Sequence, residues 1–194
     1  KGKDNNLVQV FKADWLRYKQ FRIADVALSV TYDENGIYTK FWAKGYGGDL
    51  EGAFNLYLDD QLSWDMWIAG SNVDVGEITK TLTPNYFTMD GRINFKVIAQ
   101  GDKGSLYQAT GDFKGLVPGR MKIVALEDLI KEIPDDWTEV ERKWTIKALE
   151  TLRDFRYDKC TGDLRFYGLE GTIHLRLAGP DGQRNFEVNS HDRR

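Results

Sequence analysis

Met89-Asp-Gly-Arg-Ile-Asn-Phe-Lys-Val97 is the stretch that decides the fold class of this 194-residue chain. Met89, Gly91, Ile93, Phe95 and Val97 fall on one side of an extended backbone, and Asp90, Arg92, Asn94 and Lys96 on the other. Side chains of a strand point alternately to its two faces, so this period of two predicts a strand with one apolar and one wet face. Outward from it the pattern recurs. Leu62, Trp64, Met66 and Ile68 alternate with Ser63, Asp65 and Trp67, and Val26, Leu28 and Val30 with Ala27 and Ser29. Ile173, Leu175 and Leu177 alternate with Thr172, His174 and Arg176. Between the runs stand Asp33-Glu-Asn-Gly36, Leu58-Asp-Asp-Gln61, Gln100-Gly-Asp-Lys-Gly104 and Thr161-Gly-Asp163, all rich in turn-forming residues. Such short spacing predicts strands paired as antiparallel hairpins.

Two segments break the alternation. Asp74-Val-Gly-Glu77 has the form of a capping box and predicts a helix over 75–82, stopped by Pro84. After Pro134, Asp135 or Asp136 can cap a second helix, with Glu139 three residues beyond Asp136, predicting a helix over 136–152. Val140, Trp144, Ala148 and Leu152, with Trp137 before them, form an apolar stripe expected to lie on the sheet. Glu139, Arg142 and Lys143 oppose it, with Ile146 as an exception. Leu126, Leu129, Ile130 and Ile133 are spaced for a preceding helix within 124–133. The expectation is one mainly β (α+β) domain over 1–194: an antiparallel sheet covered by one or two helices, with a helical insert at about 124–153. Strand–helix–strand alternation does not run through the chain, which argues against a Rossmann-type or α/β-barrel fold.

Composition narrows the function classes. Hydrophobic residues make up 41% and charged residues 29%, ordinary for a soluble globular domain. The net charge of −3 arises from 30 acidic and 27 basic side chains spread along the chain. With no long basic run, nucleic acid is not an expected partner. A single cysteine, Cys160, excludes an intrachain disulfide. No apolar run approaches the ~20 residues needed to span a bilayer. The start, Lys1-Gly-Lys-Asp-Asn-Asn6, has neither an initiator Met nor a signal-peptide core, so the chain is expected to be a piece of a longer protein.

Residues suited to catalysis are sparse. His174 falls on the polar side of a strand and His191 in a charged tail, neither with a second His or a Cys at ligand spacing. Cys160 has no evident base beside it and reads as a small residue at a strand end. Asp49 and Glu51 would share a strand face, and Asp59 and Asp60 sit in a hairpin turn. Carboxylate pairs in those settings are solvated acids unless burial raises one pKa. Gly45-Tyr-Gly-Gly48 lacks the helix a phosphate loop requires and suits a bend or a close backbone approach. No enzyme, cofactor or metal site is therefore expected. Aromatics remain: six Trp, nine Tyr and ten Phe. Trp64 and Trp67 point to opposite faces of one strand, as do Phe41 and Trp42, so some must face outward. Outward aromatics suit sugar stacking, a protein interface or a surface meeting lipid.

Taken in order, several short motifs resemble the C-terminal region of AsmA-like proteins. They are Tyr46-Gly-Gly-Asp-Leu-Glu-Gly52, Ser71-Asn-Val-Asp-Val-Gly-Glu-Ile78, Met89-Asp-Gly-Arg-Ile-Asn-Phe95, Ala99-Gln-Gly101, Ala109-Thr-Gly-Asp-Phe-Lys-Gly115 and Pro118-Gly-Arg-Met-Lys-Ile123. The segment from Ala148 to Tyr157, with its following Gly-punctuated strands, is similar to the close of these and of related TamB- and YdbH-like chains. The resemblance spans about residues 40–180. It implies a curled antiparallel sheet forming a groove with an apolar concave face, in a large bacterial envelope protein anchored in the inner membrane and facing the periplasm. It implies a role in phospholipid transport or outer-membrane biogenesis, with phospholipid or envelope proteins as partners, and it carries over no catalytic residue. The helical insert and the Trp content depart from a simple groove. Residues expected to face lipid are Ile93, Phe95, Val97, Trp64, Met66, Ile173, Leu175 and Leu177. The same set would equally build a dry core under the helix, which periodicity alone favours. The alternative function is a carbohydrate- or protein-binding β-domain using exposed aromatics; a hydrolase with paired carboxylates ranks below both.

Overall fold

Backbone pairing settles where each alternating run lies. The computed structural model of the chain describes residues 7–82, 85, 87–131, 133–151 and 153–190. In chain order the elements are β1 (Leu7–Tyr18), β2 (Phe21–Tyr32), β3 (Gly36–Gly45), β4 (Gly48–Tyr57), β5 (Ser63–Asp74), α1 (Val75–Leu82), β6 (Phe87–Met89) and β7 (Arg92–Asp102). There follow β8 (Ser105–Gly115), β9 (Gly119–Ile123), α2 (Leu126–Lys131), α3 (Glu139–Thr151), β10 (Phe155–Tyr157), β11 (Lys159–Tyr167), β12 (Glu170–Gly179) and β13 (Gly182–Ser190). Ten strands form one open, curled sheet in the order β1-β2-β3-β4-β5-β7-β8-β11-β12-β13, every pairing antiparallel. The mainly β, antiparallel expectation holds.

Two interruptions break this meander, and they meet. The first carries α1 and β6 between β5 and β7; the second carries β9, α2, α3 and β10 between β8 and β11. Because β7 and β8 are antiparallel, the start of one lies beside the end of the other. Both interruptions therefore leave the sheet at the same end, where β10, β9 and β6 pair into a three-stranded cap. Beneath it, Val75, Met89, Met121, Ile123, Phe155 and Tyr157 pack with Cys160 and Leu177 of the large sheet. Leu126 and Leu129 of α2 and Leu149 of α3 lie at the margin of this core.

The deciding stretch is thus split. Met89 belongs to the cap, and Gly91, at φ +124°, turns the chain before β7 begins. From Ile93 onward the alternation holds. Three of the four expected turns are turns; Asp33 Oδ1, for example, accepts the Asn35 and Gly36 amides at 2.8 and 3.0 Å. The fourth expectation fails, because Thr161-Gly-Asp163 runs through the body of β11. Gly162 is there for clearance: a Cβ would stand 2.1 Å from the Phe113 ring and 2.4 Å from the His174 carbonyl.

Helix α1 starts where expected, with Asp74 Oδ1 accepting the Gly76 and Glu77 amides at 2.8 and 3.3 Å. The Asp74 amide itself donates to the Tyr46 carbonyl at 2.7 Å rather than to Glu77. Pro84 and Leu152 lie outside the described residues. Helix α3 begins at Glu139, three residues later than Asp136, because the working capping box is Thr138/Glu141. Thr138 Oγ1 accepts the Glu141 amide at 3.3 Å while Glu141 Oε2 accepts the Thr138 amide at 2.9 Å. Its face is also rotated from expectation. Val140 and Trp144 are exposed (65% and 66%), as is Ala148, whereas Ile146 and Leu149 turn toward the body. The stripe expected against the sheet faces away from it.

Candidate functional site

Following the register across the sheet assembles one continuous face. Phe11, Leu28, Phe41, Gly52, Ile68, Val97, Gly111, Leu164 and Ile173 are successive cross-strand partners from β1 to β12. The row beside it runs through Leu50, Gly70, Phe95, Phe113, Gly162, Leu175 and Phe186. On the other flank lie Val30, Thr39, Phe54, Met66, Ala99, Ala109 and Phe166. None of these positions holds a charged residue. All eight residues expected to face lipid lie on this face.

Glycine and aromatic residues alternate across it for a steric reason. A Cβ on Gly52 would meet the Phe41 ring at 2.4 Å, one on Gly70 the Phe95 ring at 2.2 Å, and one on Gly171 the Phe166 ring at 2.3 Å. Each ring lies flat over a neighbouring glycine, so large side chains are tiled along the sheet instead of standing upright from it. Phe41, Phe54, Phe113 and Phe166 complete this face, and for Phe41, Phe113 and Phe166 the sequence signal is a glycine as cross-strand partner.

The cap divides the eight. Leu177 is fully buried, and Ile93 and Leu175 pack at the margin of the cap core, so these three serve the dry interior. Trp64 and Met66 lie beyond the cap. With Phe54, Leu56, Leu62, Lys103 and Gly104 they line an open cleft of about 570 Å3. The Phe54 and Trp64 rings stack there at 6.2 Å. Toward β1 a second open cleft, of about 450 Å3, is lined by Phe11, Leu16, Ile23, Val26, Leu28 and Phe41, with Lys12 and Ala13 at its border. A dry core and two open clefts lie on different parts of one face.

The opposite face is polar. One of its rows reads Lys12, Ala27, Trp42, Glu51, Ala69, Lys96, Asp112, Asp163, His174 and Glu187. His174 Nδ1 lies 3.0 Å from Asp163, and Glu187 is 3.6 Å from its other ring nitrogen. His174 first, then Arg165 and Arg176, holds the Asp163 carboxyl below the usual carboxylate range. Lys96 sits 5.9 Å from the Trp67 ring, and Trp42 is about half exposed. His191 lies outside the described residues.

Elsewhere the sequence candidates are structural. Asp59 accepts the Gln61 and Ser63 amides at 3.1 and 2.9 Å, and those bonds lower its pKa. Asp49 and Glu51 are solvated on β4. Cys160 is buried, and burial pushes its thiol up to about 11. Among the described residues, no three His, Cys, Asp or Glu side chains group as a metal site. Gly45-Tyr-Gly-Gly48 forms the β3–β4 hairpin turn with Tyr46 and Gly47 at positive φ. That turn belongs to a corner where distant motifs meet. Arg92 Nη1 donates to the Gly47 and Asn72 carbonyls at 3.0 and 2.7 Å, the Val75 amide to Gly91 at 3.1 Å, and Tyr157 Oη to the Asp90 carbonyl. The Arg92 bonds brace one corner of the large sheet, and the other two tie α1 and β10 to the loop that leads from β6 into β7.

No protein-family model, curated protein or solved structure matches the chain.

Proposed function

We propose that this chain is a non-catalytic, lipid-handling segment of a periplasm-facing bacterial envelope protein serving phospholipid transport or outer-membrane biogenesis. The observation that carries the reading is the uncharged sheet face left open beyond the cap, at Phe54, Trp64, Met66 and their neighbours. Open apolar surface is unfavourable in water, and an acyl chain laid along it would release that cost at roughly 25 cal/mol per Å2 covered. Strands running side by side without a buried charge offer such a chain a track rather than a pocket. The resemblance in motif order to AsmA-like proteins is what suggests the envelope setting. For the alternative, a sugar-binding platform, aromatic rings should stand among polar neighbours; the stacked pair Phe54–Trp64 has Leu56, Leu62 and Met66 beside it and a single charged neighbour, Lys103.

Uptake of a fluorescent phospholipid, with native mass spectrometry for co-purified lipid, tests the reading. Met66→Glu keeps access to water at the open end, so it should stay folded and lose uptake by about tenfold or more. Leu177→Glu buries an unpaired charge and should unfold the domain. Parent protein that takes up no lipid, or Met66→Glu that takes it up unchanged, overturns the proposal.

A further inference from the structure

The two outer strands of the large sheet differ in what they offer a neighbour. Among the described residues, β1 and β13 each pair on one side only. A strand edge left that way presents backbone N–H and C=O groups to any second strand. Polar side chains run along β13, with Gln183, Arg184, Asn185, Glu187 and Asn189. On β1, by contrast, Val8, Val10, Phe11, Trp15, Leu16 and Tyr18 are each between 50% and 70% exposed. Lys12 and Asp14 between them have no ion-pair partner among the described residues. The charges around them are already engaged. Asp25 is held by Lys44 at 3.7 Å, Arg22 lies 5.7 Å from the centre of the Trp15 ring, and Arg17 Nε donates to the Lys19 carbonyl at 3.0 Å.

The residues of β1 read the same in chemical kind from either end, with Ala13 at the centre. Laid antiparallel on a copy of itself about a twofold axis at Ala13, the strand sets Lys12 against Asp14 and Asp14 against Lys12. Val8 then meets Tyr18, Val10 meets Leu16, Phe11 meets Trp15, and Gln9 meets Arg17. Opposed side chains share a face of the sheet, so the axis falls on a residue and not between two. Moving it by one residue sets Lys12 against Lys12 or Asp14 against Asp14. Moving it by two sets Lys12 against Val10 or Asp14 against Leu16. Only the Ala13 register gives each charge its opposite, and that complementarity names the occupant as a second copy.

We propose that two copies of this chain join edge to edge through β1, antiparallel, with Ala13 of each beside the twofold axis. The pairing uses backbone groups of the outer strand and does not depend on lipid. Sedimentation equilibrium of the whole chain over a concentration series tests it. The parent should pass from monomer to dimer. Lys12→Asp and Asp14→Lys each set like charges against one another twice in the dimer, so each should associate at least tenfold more weakly. Both side chains are exposed, so the circular dichroism of these variants should match the parent's. Lys12→Asp/Asp14→Lys restores opposite charges in the same register and should dimerise like the parent. Hydrogen exchange within β1 should slow as the parent concentration rises and stay constant in Lys12→Asp. A parent that stays monomeric, single variants that dimerise unchanged, or a folded double variant that stays monomeric overturns the proposal.

Discussion

Cys160 and Gly162 sit two residues apart on β11, and each shows how one position answers to a neighbour distant in sequence. Cys160 lies under the cap against Leu177, its register partner on β12, and Gly115 clears its backbone. Burial disfavours the thiolate, so the reactive form is scarce in the folded state. Iodoacetamide at pH 8 should leave the native thiol unmodified over hours and label it within minutes in urea; mass spectrometry of the intact chain reads both. Linkage gives the matching stability effect. The folded thiol titrates near 11 against an ordinary 9.0, so stability is intact below pH 9 and declines as the pH rises towards 11. Cys160→Ala should flatten that decline in urea titrations. Gly162 was misread from sequence because Thr-Gly-Asp is a turn signature wherever it occurs. The deciding fact, a Phe113 ring lying over it, belongs to another strand.

At the level of elements, α1 was legible and α3 only half so. For α1 a single capping residue, Asp74, marks the start, and it is the cap observed. Before α3 two competing boxes overlap, Asp136/Glu139 and Thr138/Glu141, and the sequence carries two apolar stripes instead of one. Local pattern names the stripes but not which one the rest of the chain covers. Thr138→Ala should therefore cost about 1 kcal/mol, the usual value of an N-cap, and Asp136→Ala less than about 0.5 kcal/mol. Trp144→Ala, with an exposed side chain, should also stay within about 0.5 kcal/mol, far from the roughly 3–5 kcal/mol of a buried Trp. Urea midpoints rank the three.

Across the whole molecule, the large sheet was readable because a meander joins strands through local turns. The cap was not, since β6, β9 and β10 are three to five residues long and pair over wide sequence separations. The eight residues expected to face lipid do share one face of the sheet, while the use of each was not legible. Period two assigns a side chain to a face, while the cap, invisible in any one strand, decides which part of that face stays dry. Order of stability should follow the same plan. Strands β1 and β13 are bonded on one side only, whereas β5, β7, β8 and β11 have neighbours on both sides and the cap at their end. Hydrogen exchange followed by mass spectrometry should open β1 and β13 first and the four central strands last. Uniform protection across the sheet would contradict that plan.

The placing of β1 and β13 at opposite edges has a mechanical consequence. Nine strand-to-strand gaps at ~4.8 Å put these two strands roughly 40 Å apart along the sheet. Tension applied between them acts across the ladders in series, so hydrogen bonds load one pair at a time instead of sharing the force. A molecule held this way should give at low force, peeling hairpin by hairpin from either edge. The peeling should stall at the central strands, where the β6–β9–β10 pairing acts as a clasp.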